Sequence, residues 1–262
     1  TFGCPLPTES VVLPVEPAAA AVPYLTAEPD GSWSFSLAED AVVYGLGEMP
    51  RGINKRGWHY VTDNTDESHH GENRLSYYGA HNFLLIDGGV GRSVFGVFVD
   101  FPGKVFYDIG YTRHDRLTFR TEEPDYDLYI LTGDSPNAVC TEFRKLIGHS
   151  YIPPKWAFGF AQSRWGYKNE SDVREVAEKY KSAGVPLDSI YLDIDYMERY
   201  KDFTVDTERF PDLEKLTSDM KANGIHLVPI IDAGVKIEEG YDVYEEGVEN
   251  DYFCKNLSLI HI

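Results

Sequence analysis

Trp156-Ala-Phe-Gly-Phe160, Ser189-Ile-Tyr-Leu-Asp-Ile-Asp195 and His226-Leu-Val-Pro-Ile-Ile-Asp232 are three short apolar runs, and two stretches of helical period separate them. Ser171 to Ala183 places Val173, Val176, Ala177 and Tyr180 on one face and stops at Gly184. Pro211 to Asn223 places Leu213, Leu216 and Met220 inward and stops at Gly224. Apolar residues at this spacing form one stripe of a helix, and a glycine just past the last periodic residue is a common stop. Two strand–helix–strand units in succession predict a parallel sheet with right-handed crossovers. A closed (β/α)8 barrel needs about 250 residues. If the sheet is such a barrel, the stretch from Trp156 to Ile262 has room for about three of its eight units, and 156–262 would be its truncated start.

Upstream the pattern is different. From Val11 to about Leu131 the chain reads as short strands, among them Trp33-Ser-Phe-Ser-Leu37, Val42-Val-Tyr-Gly-Leu46, Asn82-Phe-Leu-Leu-Ile86, Ser93-Val-Phe-Gly-Val-Phe-Val99, Lys104-Val-Phe-Tyr107, Arg116-Leu-Thr-Phe119 and Asp127-Leu-Tyr-Ile130. Turn residues such as Glu28-Pro-Asp-Gly31 and Asp87-Gly-Gly89 punctuate them. The expectation is an antiparallel β-sandwich over residues 1–133. Glu48 to Tyr77 is polar, without a clear period, and carries Asp63-Asn-Thr-Asp66 and His69-His70. Its length predicts a functional loop. Adjacent histidines point apart and no spaced third ligand follows, which argues against a metal. Ser135-Pro136 opens a helix with Ala138, Val139, Phe143 and Leu146 on one side, and with Tyr151-Ile-Pro-Pro154 it reads as a connector over 134–155.

Composition excludes several classes. Asp and Glu number 43 against 24 Lys and Arg, a formal charge of -19 over 262 residues, which repels phosphate backbones and argues against nucleic acid as a partner. No apolar run approaches the roughly 20 residues that span a bilayer. The chain therefore reads as soluble, without a membrane partner and, by default, cytoplasmic. Cys4, Cys140 and Cys254 have no ligand spacing and read as free or buried thiols. The 14% of aromatic residues suits sugar faces, although a β-rich core accounts for more of them. The start at Thr1 and the apolar tail Leu257 to Ile262 read as truncation, the tail as foreign sequence.

In a parallel α/β sheet the ligand side lies at the carboxyl ends of the strands. Here those ends carry Ser163-Arg-Trp165, then Asp193 and Asp195, then Asp232. Each Asp alone reads equally well as a helix cap, whereas three in register favour a site. Asp193 and Asp195 are two apart on a predicted strand and share a face, with Ile194 opposite. One would orient a pair of substrate hydroxyls; the other would bind backbone or Arg199. Asp-x-Asp also serves as a divalent-metal clamp on a diphosphate, but no Gly-rich phosphate turn accompanies it. The acidic run Gly240 to Asp251 lacks the EF-hand order and reads as a solvated helix face. Asn169-Glu-Ser171 and Asn256-Leu-Ser258 fit the N-glycosylation pattern, which means little without a secretion signal.

Pro153-Pro-Lys-Trp-Ala-Phe-Gly-Phe-Ala-Gln-Ser-Arg-Trp-Gly-Tyr167, Leu192-Asp-Ile-Asp-Tyr-Met197, Lys201-Asp-Phe-Thr204, Phe210-Pro-Asp212 and Pro229-Ile-Ile-Asp232 resemble, in order and spacing, the retaining α-glucosidases of glycoside hydrolase family 31. Tyr78-Gly-Ala80 and Phe95-Gly-Val97 extend the resemblance into the first half. It implies a galactose mutarotase-like β-sandwich followed by the first strands and helices of a (β/α)8 catalytic barrel. It also implies that Asp193 binds hydroxyls of the terminal glucose in subsite -1, with Ile194 packed beside it. Trp165 would shape the entrance, Ile230 and Asp232 would line the pocket, and Asp66 of Asn64-Thr-Asp66 would reach the +1 subsite. The substrate would be a small oligosaccharide, no cofactor or metal would be used, and a homo-oligomer is compatible with the pattern.

A retaining glycosidase needs a carboxylate nucleophile and a general acid/base about 5 Å apart. In the family the nucleophile follows a Trp-x-Asp pattern, and none of Trp33, Trp58, Trp156 or Trp165 is followed by x-Asp. The resemblance therefore implies that these residues bind the sugar while the catalytic pair lies beyond them. An α-xylosidase of the same fold and a non-catalytic carbohydrate-binding module are the competing readings.

Overall fold

Alternating apolar and polar residues in the first half build two antiparallel sheets whose inner faces meet. The computed structural model describes residues 25–66, 68–89, 93–232 and 234–253. The start of the strand pattern at Val11, Cys4, Cys254, Asn256-Leu-Ser258 and the tail to Ile262 lie outside them. One sheet has the order β1 (Leu25–Ala27), β2 (Trp33–Ser36), β8 (Arg116–Thr121), β7 (Val105–Ile109), β4 (Trp58–Thr62). The other runs β3 (Val42–Gly47), β5 (Ala80–Asp87), β6 (Val94–Asp100), β9 (Asp127–Gly133). Phe35, Val43, Tyr60, Leu84, Ile86, Val97, Val99, Leu117 and Phe119 are buried in one cluster, the inward set of each strand's two-residue period. Burying such side chains contributes about 1.5–3 kcal/mol each.

β4 falls inside the stretch expected to be an unbroken loop. Trp58-His-Tyr-Val-Thr62 pairs along its whole length with β7, from Trp58 opposite Ile109 to Thr62 opposite Val105. Tyr60 and Thr62 are buried, whereas His59 between Trp58 and Tyr60 is exposed and Val61 is half-buried, a two-residue period that the surrounding Gly and polar residues concealed.

Helix α1 (Pro136–Ile147) starts as its sequence predicts, with the Ser135 side chain accepting from the Ala138 N–H. It packs on the outer face of β5, β6 and β9, where Phe83, Leu85 and Val139 form a second buried cluster and the Phe83 and Phe143 rings stack at 4.0 Å. Gly96 permits this approach, since a Cβ there would stand 2.8 Å from the Val139 side chain.

The described chain divides into two compact units between Ser150 and Tyr151. In the second, β10 (Ala161–Gln162), β11 (Ser189–Leu192) and β12 (His226–Pro229) form a parallel sheet in that order. Helix α2 (Glu170–Ser182), capped by Asn169, connects β10 to β11, and α3 (Leu213–Ala222), capped by Asp212, precedes β12. Val173, Ile190, Leu192, Phe210, Leu216 and Met220 are buried between helices and sheet. Arg174 joins α2 to α3 by pairing with Asp219 at 2.8 Å and Glu170 at 2.7 Å. The acidic run forms α4 (Asp242–Glu249). Among the described residues no helix is long and apolar enough to cross a membrane.

The first strand of this unit is displaced from its expected place. Lys155–Phe158 forms a single 3-10 turn behind Pro154, and pairing begins only when the Phe160 carbonyl accepts from the Asp188 and Ser189 N–H groups. A short apolar run does not by itself distinguish a strand from a turn, and none of the four residues of this turn is buried. Trp156 packs its ring flat on His226 at 4.1 Å.

Candidate functional site

The carboxyl ends of β10, β11 and β12 bring most of the expected site residues to one edge. The Ile230 N–H donates to the Leu192 carbonyl at 2.9 Å, so the residues that leave β11 and β12 emerge side by side. Asp193 follows Leu192 directly, and Asp232 lies two residues past Ile230. Trp165 lies just beyond β10 and is 75% exposed, a bare aromatic face at the rim. Ile194 is half-buried against the helix–sheet core.

Asp193 and Asp195 do not share a strand face. β11 ends at Leu192, and Asp193 opens a 3-10 turn, Ile194–Tyr196, with its Oδ1 accepting from the Ile194 N–H at 2.7 Å. A three-residue turn replaces the two-residue period, so residues two apart diverge. Asp195 swings inward to 7% exposure, 4.0 Å from the Arg209 guanidinium. It lies so close to Gly166 that a Cβ there would stand 1.6 Å from Asp195 Oδ2. Asp195 is thus a packing carboxylate, and Asp193 remains half-exposed at the edge. The expected partner Arg199 pairs instead with Glu238.

β12 is also shorter than its apolar run predicts. It ends at Pro229, and Ile230, Ile231 and Asp232 continue as an exposed loop, Asp232 with φ 55°. The cause is in the contacts: the Ile230 carbonyl is taken by the Tyr196 hydroxyl at 2.8 Å, not by a neighbouring strand. Tyr196, one residue of the Leu192-Asp-Ile-Asp-Tyr-Met197 block with no role expected for it, thus ties the loop after β12 to the turn after β11.

Asp66 lies in the first unit, on the loop between β4 and β5. The Tyr78 hydroxyl donates to its Oδ1 at 2.9 Å, Asn64 Oδ1 accepts from the Ala80 N–H at 2.7 Å, and the Thr65 N–H donates to the Tyr77 carbonyl at 3.1 Å. The loop thus holds its Asn-Thr-Asp segment by its own hydrogen bonds. Of the paired histidines, His70 packs on Tyr77 at 4.8 Å and His69 Nδ1 lies 2.9 Å from Ser68 Oγ.

Chemically, the edge offers a carboxylate with lone pairs to spare, an exposed indole and apolar isoleucines. Carboxylates accept from vicinal hydroxyls, and aromatic faces cover the C–H face of a pyranose. A cavity of about 470 Å³ lies elsewhere, on the outer face of the β2–β8–β7–β4 sheet beside His59, Phe106, Asp108 and Arg120.

Residues 150–260 match the TIM-barrel domain of glycosyl hydrolases family 31, and residues 23–108 match the family's N-terminal galactose mutarotase-like domain. The chain belongs to glycoside hydrolase family 31. It is 40% identical over 224 residues to alpha-glucosidase 2 of Bacillus thermoamyloliquefaciens, an alignment covering 84% of this chain and 28% of that protein. It is 32% identical over 226 residues to alpha-xylosidase 1 of Arabidopsis thaliana, covering 85% and 25%. Among solved structures, a family 31 dextranase from Flavobacterium johnsoniae complexed with isomaltotriose superposes with a TM-score of 0.78 at 24% identity, covering 91% of this chain and 29% of that one. The cycloalternan-degrading enzyme of Trueperella pyogenes gives 0.72 at 16% identity, covering 86% and 35%. These likenesses bear out the two-part architecture. The family 31 chain described here spans between about a quarter and a third of the length of these relatives.

Proposed function

We propose that this chain supplies the sugar-positioning part of a retaining exo-α-glucosidase, which removes terminal non-reducing α-linked glucose from short oligosaccharides. The observation that carries the reading is Asp193, a half-exposed carboxylate at the end of β11, alongside Ile230 and Asp232 at the end of β12. In this reading Asp193 accepts from hydroxyls of the terminal glucose, Ile194 and Ile230 line the ring's apolar side, and Asp232 and the exposed Trp165 bound the pocket. Asp66 would contact the sugar on the other side of the scissile bond.

Cleavage with retention needs two carboxyl groups acting as nucleophile and as acid/base. We assign that pair to barrel strands outside these 262 residues, so the chain by itself positions a sugar without cleaving it. Assay of p-nitrophenyl α-glucoside tests this: no turnover is expected from the pure chain, and turnover would overturn the assignment. Restoring the rest of a family 31 barrel should give release of glucose with retained anomeric configuration.

An α-xylosidase is the second reading, supported by the 32% identity to alpha-xylosidase 1. The higher identity to alpha-glucosidase 2 favours glucose. A panel of α-glucosides and α-xylosides on the restored enzyme separates them.

A further inference from the structure

Strand register dictates what lines the cavity of about 470 Å³ on the outer face of the β2–β8–β7–β4 sheet. Tyr60, Tyr107 and Phe119 are buried in the sandwich core, so their neighbours along each strand point outward. Val61 stands opposite Phe106, and Phe106 opposite Arg120. His59 stands opposite Asp108, and Asp108 opposite Thr118. These are two cross-strand rows about 7 Å apart, the rise of two residues along a strand. One row ends in a guanidinium on an aromatic ring, since the Arg120 Cζ lies 3.9 Å from the centroid of Phe106. The other ends in the Thr118 hydroxyl.

With 43 acids for 24 bases in the chain, a cation without an acid is the exception. The other charges at this cavity are matched. Arg113 pairs with Asp115 at 3.1 Å, and Arg116 pairs with Glu28. Asp108 accepts from the Tyr111 and Thr112 N–H groups and lies 3.1 Å from His59 Nε2. Asp30 accepts from the Ser32 N–H at 3.0 Å and from its hydroxyl at 2.6 Å. Arg120 lines the same cavity, and among the described residues it forms no ion pair and donates to no protein acceptor. Its contact with the Phe106 face holds the cation while leaving the N–H fork for an outside acceptor.

We propose that this cavity binds a small phosphorylated sugar, with the Arg120 guanidinium as the receptor for its phosphate. A phosphate monoester has three acceptor oxygens: two take the guanidinium fork and the third remains for the Thr118 hydroxyl, whereas a carboxylate has only two. The sugar ring then spans to the second row, where the Asp108–His59 pair meets its hydroxyls, and Val61 and the exposed Leu75 meet its C–H face. The volume suits a ligand of that size. The chain's charge of -19 repels a phosphate at long range, but salt screens that repulsion beyond about 10 Å, and a direct pair is screened much less. The site draws nothing from the reading of the β10–β12 edge.

NMR titration of the 262-residue chain with glucose 6-phosphate tests the proposal, with inorganic phosphate and glucose as comparisons. Saturable shifts are expected at Phe106, Thr118 and Arg120. Inorganic phosphate should shift the same residues but bind about tenfold more weakly, lacking the ring's contacts, and glucose should leave them unshifted. Arg120 is exposed, so Arg120→Gln removes the cation without disturbing the core, and it should weaken glucose 6-phosphate about ten- to a hundredfold. Arg120→Lys keeps the charge without the fork and should recover only part of that loss. No saturable binding to the wild-type chain overturns the proposal, as does binding that Arg120→Gln leaves unchanged. Glucose or inorganic phosphate binding as tightly as glucose 6-phosphate overturns it too, since the cavity would then read only half of the ligand. A dimer in solution that Arg120→Gln dissociates would place a second copy of the chain there and overturn it as well.

Discussion

The Tyr196 hydroxyl donates to the carbonyl oxygen of Ile230 at 2.8 Å, across the gap between the turn that follows β11 and the residues that leave β12. Tyr196 is 5% exposed, and burial raises the pKa of its phenol, so it remains a donor across the physiological range. With the Ile230 N–H on the Leu192 carbonyl at the end of β11, this bond ties the amide of one residue to the strand and its carbonyl to the turn that follows it. Asp193 and Asp232 sit on either side of that junction, so their separation is set by backbone and not by their own side chains.

Tyr196→Phe keeps the ring and removes only the donor. Leaving the Ile230 carbonyl unpaired should cost about 1–3 kcal/mol. Urea unfolding checks this, and an unchanged midpoint with unchanged slope would show that water replaces the hydroxyl at no cost.

Asp193→Ala should cost about 2–4 kcal/mol of transition-state stabilisation in a family 31 enzyme containing this chain, since a buried substrate hydroxyl pair loses its charged acceptor. The measurement is kcat/KM on maltose. An unchanged value would remove Asp193 from the site.

Gly166→Ala forces a Cβ to within 1.6 Å of Asp195 Oδ2. Asp195 is hemmed in by its own burial, so the expected cost is about 1–3 kcal/mol, as for overpacking elsewhere. A melting temperature equal to wild type would mean that Asp195 can swing away freely. The double variant Gly166→Ala with Asp195→Gly should recover part of the loss.

Asp108 gives a pH signature. Burial alone would raise its carboxyl, but hydrogen bonds from Thr112, Tyr111 and His59 outweigh burial and hold it below the ordinary carboxylate range. A depressed folded value stabilises the fold fully above the unfolded value of about 4 and less as pH falls toward the folded one. The melting-temperature gap between wild type and Asp108→Asn should be largest near pH 6 and shrink below about pH 4. A gap that stays constant down to pH 3 would contradict the assignment.

Much of this was legible in the residues because period and punctuation agree. Val173, Val176 and Ala177 ahead of Gly184, and Leu216 and Met220 ahead of Gly224, gave α2 and α3 almost to their ends. Errors fall where the chain leaves regular structure. Trp156 to Phe160 carries the apolar content of a strand, but Pro154 and Gly159 bend it into a turn. Asp195 looked equivalent to Asp193 only while both were counted on a strand; one 3-10 turn buries it. Tyr60 and Thr62 alternated inward inside a stretch whose glycines and histidines read as loop. Glu238 carries no local signal, because its ion-pair partners Arg199 and Lys201 lie tens of residues away.

Every role proposed above in positioning the terminal glucose depends on a sugar site at the carboxyl ends of β10, β11 and β12. NMR titration of the chain with maltose tests it most directly. Saturable shifts concentrated at Trp165, Asp193, Ile194, Ile230 and Asp232, and abolished by Asp193→Ala, are expected. Saturable shifts confined to other surfaces, or shifts at those five residues that survive Asp193→Ala, would contradict it.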